Sequence, residues 1–454
     1  MPDLPRMRVL DLFKSSCDSG GRARFYRANV NTKAMCPNHH QPTNTAPPRV
    51  SGIGYNARIL RVRISMLLSI ESSCDDSSIA ITEIDSRRLI FHHKISQDTA
   101  HSYYGGVVPE IASRLHAKSL PEILEKLRDV LGGFSCVRGV ALTTEPGLSV
   151  SLIEGLMMAK LLCLSLRIPL ISVNHLIGHF YSLFINKPCA IFPMSVLLVS
   201  GGHTQIIEAR GEQDFVIIAQ SLDDSFGESF DKVAKMLGLG YPGGPIIESY
   251  AKSYMDCMAE SSAIDSGANI SHTHRRDSGL HAFPLPLRDR VGFSFSGLKN
   301  AARLLIESTI AQSRLESTPK NTQHNPAMPS DPSALSQECK SYICASFQEA
   351  AIRHIAHQVE RYFKTSRDCG RVIGDFAIVG GASSNAALRS RVQELCDRFG
   401  AKLHLAPLEF CADNAAMIGR AGIAEWEAGR FVDVVSQEIS PRSTTQALRL
   451  APQA

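Results

Sequence analysis

One tryptophan in 454 residues, aromatics at only 7%, and no two cysteines at C-x-x-C spacing mark what this sequence withholds. The 12 cysteines stand singly along the chain. That excludes a disulfide scaffold and reads as reduced thiols in the cytoplasm. No run approaches the ~18 consecutive apolar residues of a membrane span, so no membrane association is expected. The chain has no G-x-x-x-x-G-K-[ST] and no G-x-G-x-x-G, so P-loop and Rossmann nucleotide schemes find no support. With 44% hydrophobic and 20% charged residues, it is neither collagen-like, nor coiled-coil, nor globally disordered. Its length points to two or three domains.

What is present begins with an uneven charge. Residues 1–65 hold eleven Lys/Arg against three Asp, a surplus of +8, so the overall +4 leaves −4 for residues 66–454. A nucleic-acid partner would therefore be held by a local patch or by other subunits, not by bulk charge. The first 65 residues lack a sustained apolar period. A transit peptide fits their Arg-rich, acid-poor character in part. Cys36, His39 and His40 suggest a metal knuckle but do not make a four-ligand site. The preferred reading is a disordered leader or a start codon placed upstream of the real one, because Met66 directly precedes a strong buried strand at 67–70. Every motif lies downstream of it.

From Met66 short apolar runs alternate with longer amphipathic stretches, which predicts an α/β fold. Strands are expected at 66–70 and 78–82 around a polar turn, at 139–143 and at 169–173. Helices are expected at 109–131, 148–166 and 174–184, the last capped by Asn174. At Met194 the opening move repeats: strand 195–199, turn Ser200-Gly201-Gly202-His203-Thr204, strand 205–209. This repetition suggests two lobes of similar topology with loops facing a shared cleft. A first lobe is expected over 66–193, completed by a C-terminal helix at about 414–430. The second spans 194–413, and 431–454 is a tail. Residues 253–282 and 311–335 read as aperiodic insertions.

Three constellations carry chemistry. His175 and His179 are spaced i, i+4, so both imidazoles leave one helix face. With Asp413 at a loop-to-helix junction they form a two-histidine, one-carboxylate set that leaves open positions for a substrate oxygen and suits zinc or ferrous iron. The residue after the first histidine is Leu176, not the glutamate a zincin needs, so a metalloprotease-like hydrolase ranks low. Gly-rich turns at 200–204, 241–245 and 380–382 can bring backbone N–H groups against a phosphate. Among acids at turns, Asp231 and Glu248 are candidates to accept from ribose hydroxyls. Asp75, beside Asp76, would orient or deprotonate an attacking group. Each carboxylate could equally be a turn former or an ion-pair partner.

Taken in order, SIESSCDDSSIAI, SYYGGVVPEIASRLHA, EPGLSVSLIEGLMMAK, NHLIGH, LLVSGGHTQI, ESFDKVAKMLGLGYPGGP, FSFSGLKNAA, IVGGASSN and CADNAAMIGRAG resemble the TsaD family, the tRNA N6-adenosine threonylcarbamoyltransferases. The resemblance runs from Met66 to about residue 430. It implies the two-lobed fold (ASKHA) shared by actin, chaperone ATPases and sugar kinases. It implies His175, His179 and Asp413 as ligands of one divalent metal, Fe2+ in preference to Zn2+. Leu198, Val199, Ser200, Gly201, Gly202, Asp231, Gly244, Glu248 and Asn385 would line an adenylate, and Asp75 would serve activity. The implied reaction moves threonylcarbamoyl from threonylcarbamoyl-AMP to N6 of adenosine 37 in tRNAs reading codons that begin with A, releasing AMP. Bacterial relatives work with a paralogous subunit, TsaB, and a small ATPase, TsaE, and similar partners are implied here. Ile177 stands where relatives often carry an acid, which removes no ligand. A kinase or ATPase of the same fold is the competing class, though it has no use for a His-His-Asp set. Helix 148–166 is the candidate subunit interface, and its Met157-Met158-Ala159 run could equally be core.

Overall fold

A computed structural model describes residues 65–265, 279–317, 331–444 and 447–451. The leader 1–64 and the central parts of both expected insertions lie outside these residues.

Two sheets of matching topology organise the chain. The first is built from β1 (Met66–Glu71), β2 (Asp76–Glu83), β3 (Leu89–Ser96), β4 (Val137–Glu145) and β5 (Leu170–Asn174), in the order β3-β2-β1-β4-β5. The second comprises β6 (Met194–Val199), β7 (Thr204–Gly211), β8 (Asp214–Gln220), β9 (Asp375–Val379), β10 (Lys402–Leu405) and β11 (Leu448–Leu450), in the order β10-β9-β6-β7-β8-β11. β1 pairs antiparallel with β2 and parallel with β4. β6 does the same with β7 and β9. Each opening strand is central and covered on both faces, which is why MLLSIE and MSVLLV read as unbroken burial rather than alternation. The duplication expected from the repeated strand–turn–strand is thus present as a five-strand order used twice, the two-lobed architecture of the actin and sugar-kinase class. β3, β8, β10 and β11 were not expected; of these, LIFHHKIS is only half-buried, KLHL is short and largely exposed, and LRL spans three residues.

Ten helices flank the sheets among the described residues: α1 (Asp98–Ser102), α2 (Pro109–Leu131), α3 (Ser149–Leu166), α4 (His175–Tyr181), α5 (Phe226–Met236), α6 (Gly243–Asp265), α7 (Ser296–Ser317), α8 (Gln337–Asp368), α9 (Ala386–Phe399) and α10 (Ala415–Glu427). Their ends follow local chemistry. Pro109 opens α2 and Gly132, at φ 66°, closes it. Asn174, Asn385 and Asn414 each cap a helix through the side-chain oxygen. The expected insertion at 253–282 begins instead as the continuation of α6, which runs to Asp265. Residues 311–317 likewise end α7, and Leu335 is buried in the core of the second lobe. Ser/Thr-rich composition masked helices whose stability comes from packing α6 and α7 against α8.

α3 is long and apolar enough to cross a membrane by length and composition alone. Here Leu152, Leu156, Ala159 and Leu162 are buried on one side of it, where it packs against α2, β1, β4 and β5. Its other side leaves Val150, Ile153, Met157, Leu161 and Leu164 exposed.

α10 packs on β1, β2, β4 and β5, and against α4. Glycines allow this. A Cβ on Gly419 would lie 2.8 Å from Thr82 Oγ1, and one on Gly422 would lie 2.6 Å from the Ala141 Cβ. One on Gly178, in α4, would meet Ile418 at 2.7 Å. The segment after α10 is not a loose tail. Ser440 N–H donates to Thr144 O, Asn174 Nδ2 donates to Ser443 Oγ and Thr444 N–H to Glu145, before β11 joins β8 of the other sheet.

Gly422→Ala is expected to lower the unfolding free energy by about 1–3 kcal/mol through overpacking against the sheet. Urea unfolding of the variant beside the parent checks this; an unchanged midpoint would mean that α10 has room to shift.

Candidate functional site

The His-His-Asp set is assembled by the α4–α10 contact. α4 is a seven-residue helix with every residue buried, and Asn174 Oδ1 fixes its start by accepting from Leu176 N–H (2.9 Å) and Ile177 N–H (3.3 Å). His175 and His179 flank Gly178, whose missing side chain lets the start of α10 come close. Asp413 lies two residues before that helix. Its Oδ1 is 3.4 Å from His175 Nε2 and 3.2 Å from His179 Nε2, and one ligand atom from each of the three residues falls within 4.8 Å of the others.

A residue not anticipated as functional holds this set. Glu71, fully buried at the end of β1, lies 3.1 Å from His175 Nδ1 through Oε2, accepts from Ser73 N–H (2.6 Å) and accepts from Thr143 Oγ1. Ser73 Oγ adds a second contact to His175 Nδ1 at 3.2 Å. These partners fix the ring so that Nε2 faces Asp413, the arrangement in which a carboxylate backs a ligating histidine. A glutamate closing an all-apolar central strand was the available signal, since a buried charge requires a partner. His179 is fully buried with neither ring nitrogen in a well-formed hydrogen bond. An orphaned imidazole beside a carboxylate and a second imidazole fits a cation.

Electrostatics agree. Burial opposes charge on His175, but Asp413 and Glu71 override it and hold its pKa well above the ordinary value. Burial also opposes charge on Asp413, and His175 with His179 nonetheless drives its pKa well below the usual carboxylate range. Burial lowers His179. His203, on the β6–β7 turn, is pushed down to about 4 by burial and by His175 and His179, which places the second lobe's turn beside the cluster.

The remaining candidates line turns of the second lobe. Leu198 and Val199 are fully buried, so their side chains belong to the core and only their backbone can serve a ligand. Ser200 N–H donates to His203 O (2.8 Å) and His203 N–H to Ser200 Oγ (3.1 Å), closing the turn while Gly201 and Gly202 face open space. Gly380, at φ 94°, packs its backbone directly on Val199, where any Cβ would collide. Asp231 accepts from Gly243 N–H at 2.7 Å, and Gly244 has nothing where a Cβ would stand. Glu248 accepts from Ala386 N–H (2.7 Å), and Asn385 caps α9 while its Nδ2 donates to Gln348 Oε1 (3.0 Å). Asp231, Glu248 and Asn385 thus already tie α5, α6, α8 and α9 together around the turns.

The first lobe reaches across. Tyr241 Oη donates to Asp75 Oδ2 at 3.2 Å, and Lys235 Nζ donates to Tyr104 O at 2.8 Å. Burial, reinforced by Asp413, raises the Asp75 pKa. Burial takes Asp76 to about 7 despite its 2.8 Å pair with Lys94. The sequence offered Tyr241 only as the start of a Gly-rich turn and Lys235 only as a neighbour for Asp231, because a contact between lobes leaves no periodic trace.

A family model described as tRNA N6-adenosine threonylcarbamoyltransferase matches residues 88–420. A protein of that name from Helicobacter hepaticus is 49% identical over 393 residues, covering 83% of this chain and 98% of its own length. One from Wolinella succinogenes is 50% identical over 380 residues, with 83% and 99% covered. Among solved structures, full-length HypF in its phosphate- and nucleotide-bound form matches with a TM-score of 0.44 and 14% identity, over 80% of this chain and 46% of that one.

Burial raises Asp231 to about 6, above its unfolded value near 3.9. The folded state therefore binds the extra proton between those values, and stability from this group falls as pH rises through 6. Asp231→Asn should stabilise the protein more at pH 7 than at pH 4.5. Urea midpoints of variant and parent at both pH values check it, and a pH-independent difference would place Asp231 in water.

Proposed function

This chain belongs to the TsaD family, the tRNA N6-adenosine threonylcarbamoyltransferases, and from that premise we propose how its residues carry the transfer. It is an acyltransferase acting on tRNA. The acceptor is N6 of adenosine 37 in tRNAs reading codons that begin with A, and the donor is threonylcarbamoyl-AMP. The amine nitrogen bonds to the carbamoyl carbon, the bond from that carbon to the phosphate oxygen breaks, AMP departs, and the amine gives up one proton.

His175, His179 and Asp413 would hold one divalent metal. The observation that carries this is the triad of two buried histidines and a partly buried aspartate, with Glu71 behind His175 and His179 otherwise unpartnered. Such an ion supplies Lewis acidity and a template for the donor's oxygens, and Fe2+ is preferred to Zn2+ on family grounds. The open turn would offer the backbone N–H groups of Gly201 and Gly202 to the adenylate, with Ser200 closing the turn and Gly244 leaving space beside it. Asp231, Glu248 and Asn385 frame it, and Leu198 and Val199 support the turn from the core. Asp75, whose pKa burial raises and whose carboxylate accepts from Tyr241, would take the amine proton. The Tyr241–Asp75 and Lys235–Tyr104 links narrow the cleft, which keeps water from the reactive anhydride.

Two partners complete the reading: a TsaB-like paralogous subunit and a TsaE-like ATPase. The exposed stripe Val150, Ile153, Met157, Leu161 and Leu164 on α3 suits a helix of the former. Residues 66–454 carry −4, so unaided tRNA binding is expected to be weak and steeply salt-dependent. A tRNA substrate, and the absence of disulfides among the described cysteines, support a cytoplasmic location.

Elemental analysis and AMP release test the assignment. The parent should hold one metal per chain and release AMP with tRNA. His179→Ala should lose the metal and at least a hundredfold in rate; parent-level metal in the variant would move the site elsewhere. At physiological salt the isolated chain should turn over poorly, and added partners should restore transfer. Full turnover alone would remove the partner requirement.

A further inference from the structure

The segment between α1 and α2 crosses from the first lobe to the second and carries two adjacent aromatic rings into solvent. Tyr103 is 89% exposed and Tyr104 48%, with ring centroids 5.2 Å apart in an edge-to-face pair. Aromatics are scarce in this chain, and among the described residues Phe431, packed on Trp426, is the other conspicuously exposed ring. An exposed pair of this kind loses hydrophobic free energy in the free protein.

The strap that holds the pair is rigid. Tyr104 N–H donates to His101 O and Gly105 N–H to Ser102 O, at 2.9 and 3.1 Å. Val108 N–H donates to His101 Nδ1 at 3.3 Å, closing the strap at its base. Gly105, at φ 64°, lies against the Lys235 stem, where a Cβ would stand 3.0 Å from Cδ.

Its position is fixed from both sides of the cleft. Lys235, which holds Tyr104 O, stands one turn beyond Asp231 on α5. From the other side His101 contacts Gln97, Gln97 contacts His116, and His116 Nε2 donates to Cys74 O, the residue before Asp75. The strap that carries the two rings is thus tied to the helix of Asp231 on one side and, through Gln97 and His116, to the turn of Asp75 on the other.

We propose that Tyr103 and Tyr104 form a stacking platform for bases of the tRNA anticodon loop that flank the acceptor adenosine. This rests on the tRNA-modifying reading above. Proteins recognise RNA loops by stacking splayed bases on exposed aromatic faces, and the preorganised strap keeps the entropic cost of that contact low. The platform positions the acceptor and takes no part in bond making.

The test uses the full chain with its partner subunits and an anticodon stem-loop RNA carrying 2-aminopurine next to the acceptor adenosine. Tyr103→Ala/Tyr104→Ala should raise KM for tRNA roughly tenfold or more, the range expected for losing one or two stacked bases. It should abolish the 2-aminopurine quench seen with the parent. Tyr103→Phe/Tyr104→Phe should keep both within twofold. Metal content should be unchanged in all variants, and Tyr103→Ala alone should keep the parent's slow tRNA-independent hydrolysis of threonylcarbamoyl-AMP. Tyr103→Ala alone removes no buried contact and guards against misfolding of the pair. Parent-like KM and quench in the alanine variants would overturn the platform, as would a defect traced by co-elution to loss of a protein subunit. Failure of the parent to transfer to any tRNA would instead overturn the reading of function.

Discussion

Everything chemical in this molecule depends on how closely α4 and α10 approach. At Gly178 the two helices meet with the Ile418 and Met417 side chains against the bare glycine. Gly419 and Gly422 let α10 settle onto the first sheet by the same means. Were any of these a larger residue, Asp413 would stand away from the histidines, because it rides on the start of α10 while they ride on α4. The cluster gathers charge that water would otherwise solvate, and the packing around it supplies the restraint that keeps those charges together. Asn414 reinforces this locally: its side chain caps α10 and donates to Phe410 O and Ala412 O, fixing the loop that presents Asp413.

The duplicated strand order explains why the site is asymmetric. Both lobes turn sharply after a central strand toward the same cleft. In the first the turn delivers carboxylates, Glu71 to the histidines and Asp75 to the rim. In the second the equivalent turn delivers backbone N–H groups and two glycines with open space above them. One topology thus contributes acids from one side and exposed backbone amides from the other, the division that the proposed acyl-phosphate donor would use.

Much of this was legible in the amino-acid sequence. The central strands showed as unbroken apolar runs, the i, i+4 histidines as a helix face, and Asn174 as a cap, because each depends on residues within one turn or one strand. Glu71 was read only as part of a polar turn. Its meaning comes from His175, 104 positions away. The same distance hid the contacts that Tyr241 and Lys235 make across the lobes, and composition pointed to a loop at 253–265 where α6 continues. Asp231, Glu248 and Asn385 were chosen for a ligand, and the structure gives each a structural hydrogen bond as well. A side chain can tie helices and line a cavity at once, and sequence patterns do not separate the two roles.

The segment after α10 has a mechanical meaning. Its hydrogen bonds to Thr144, Glu145 and Asn174 anchor it to one lobe, and β11 is a strand of the other. It works as a tendon. Two lobes joined only by their crossings could swing freely about a hinge. With the tendon in place, any parting of the lobes would load the contacts of Ser440, Ser443 and Thr444 on one side and the β11–β8 pairing on the other, so the two sheets are restrained by a second connection besides their crossings.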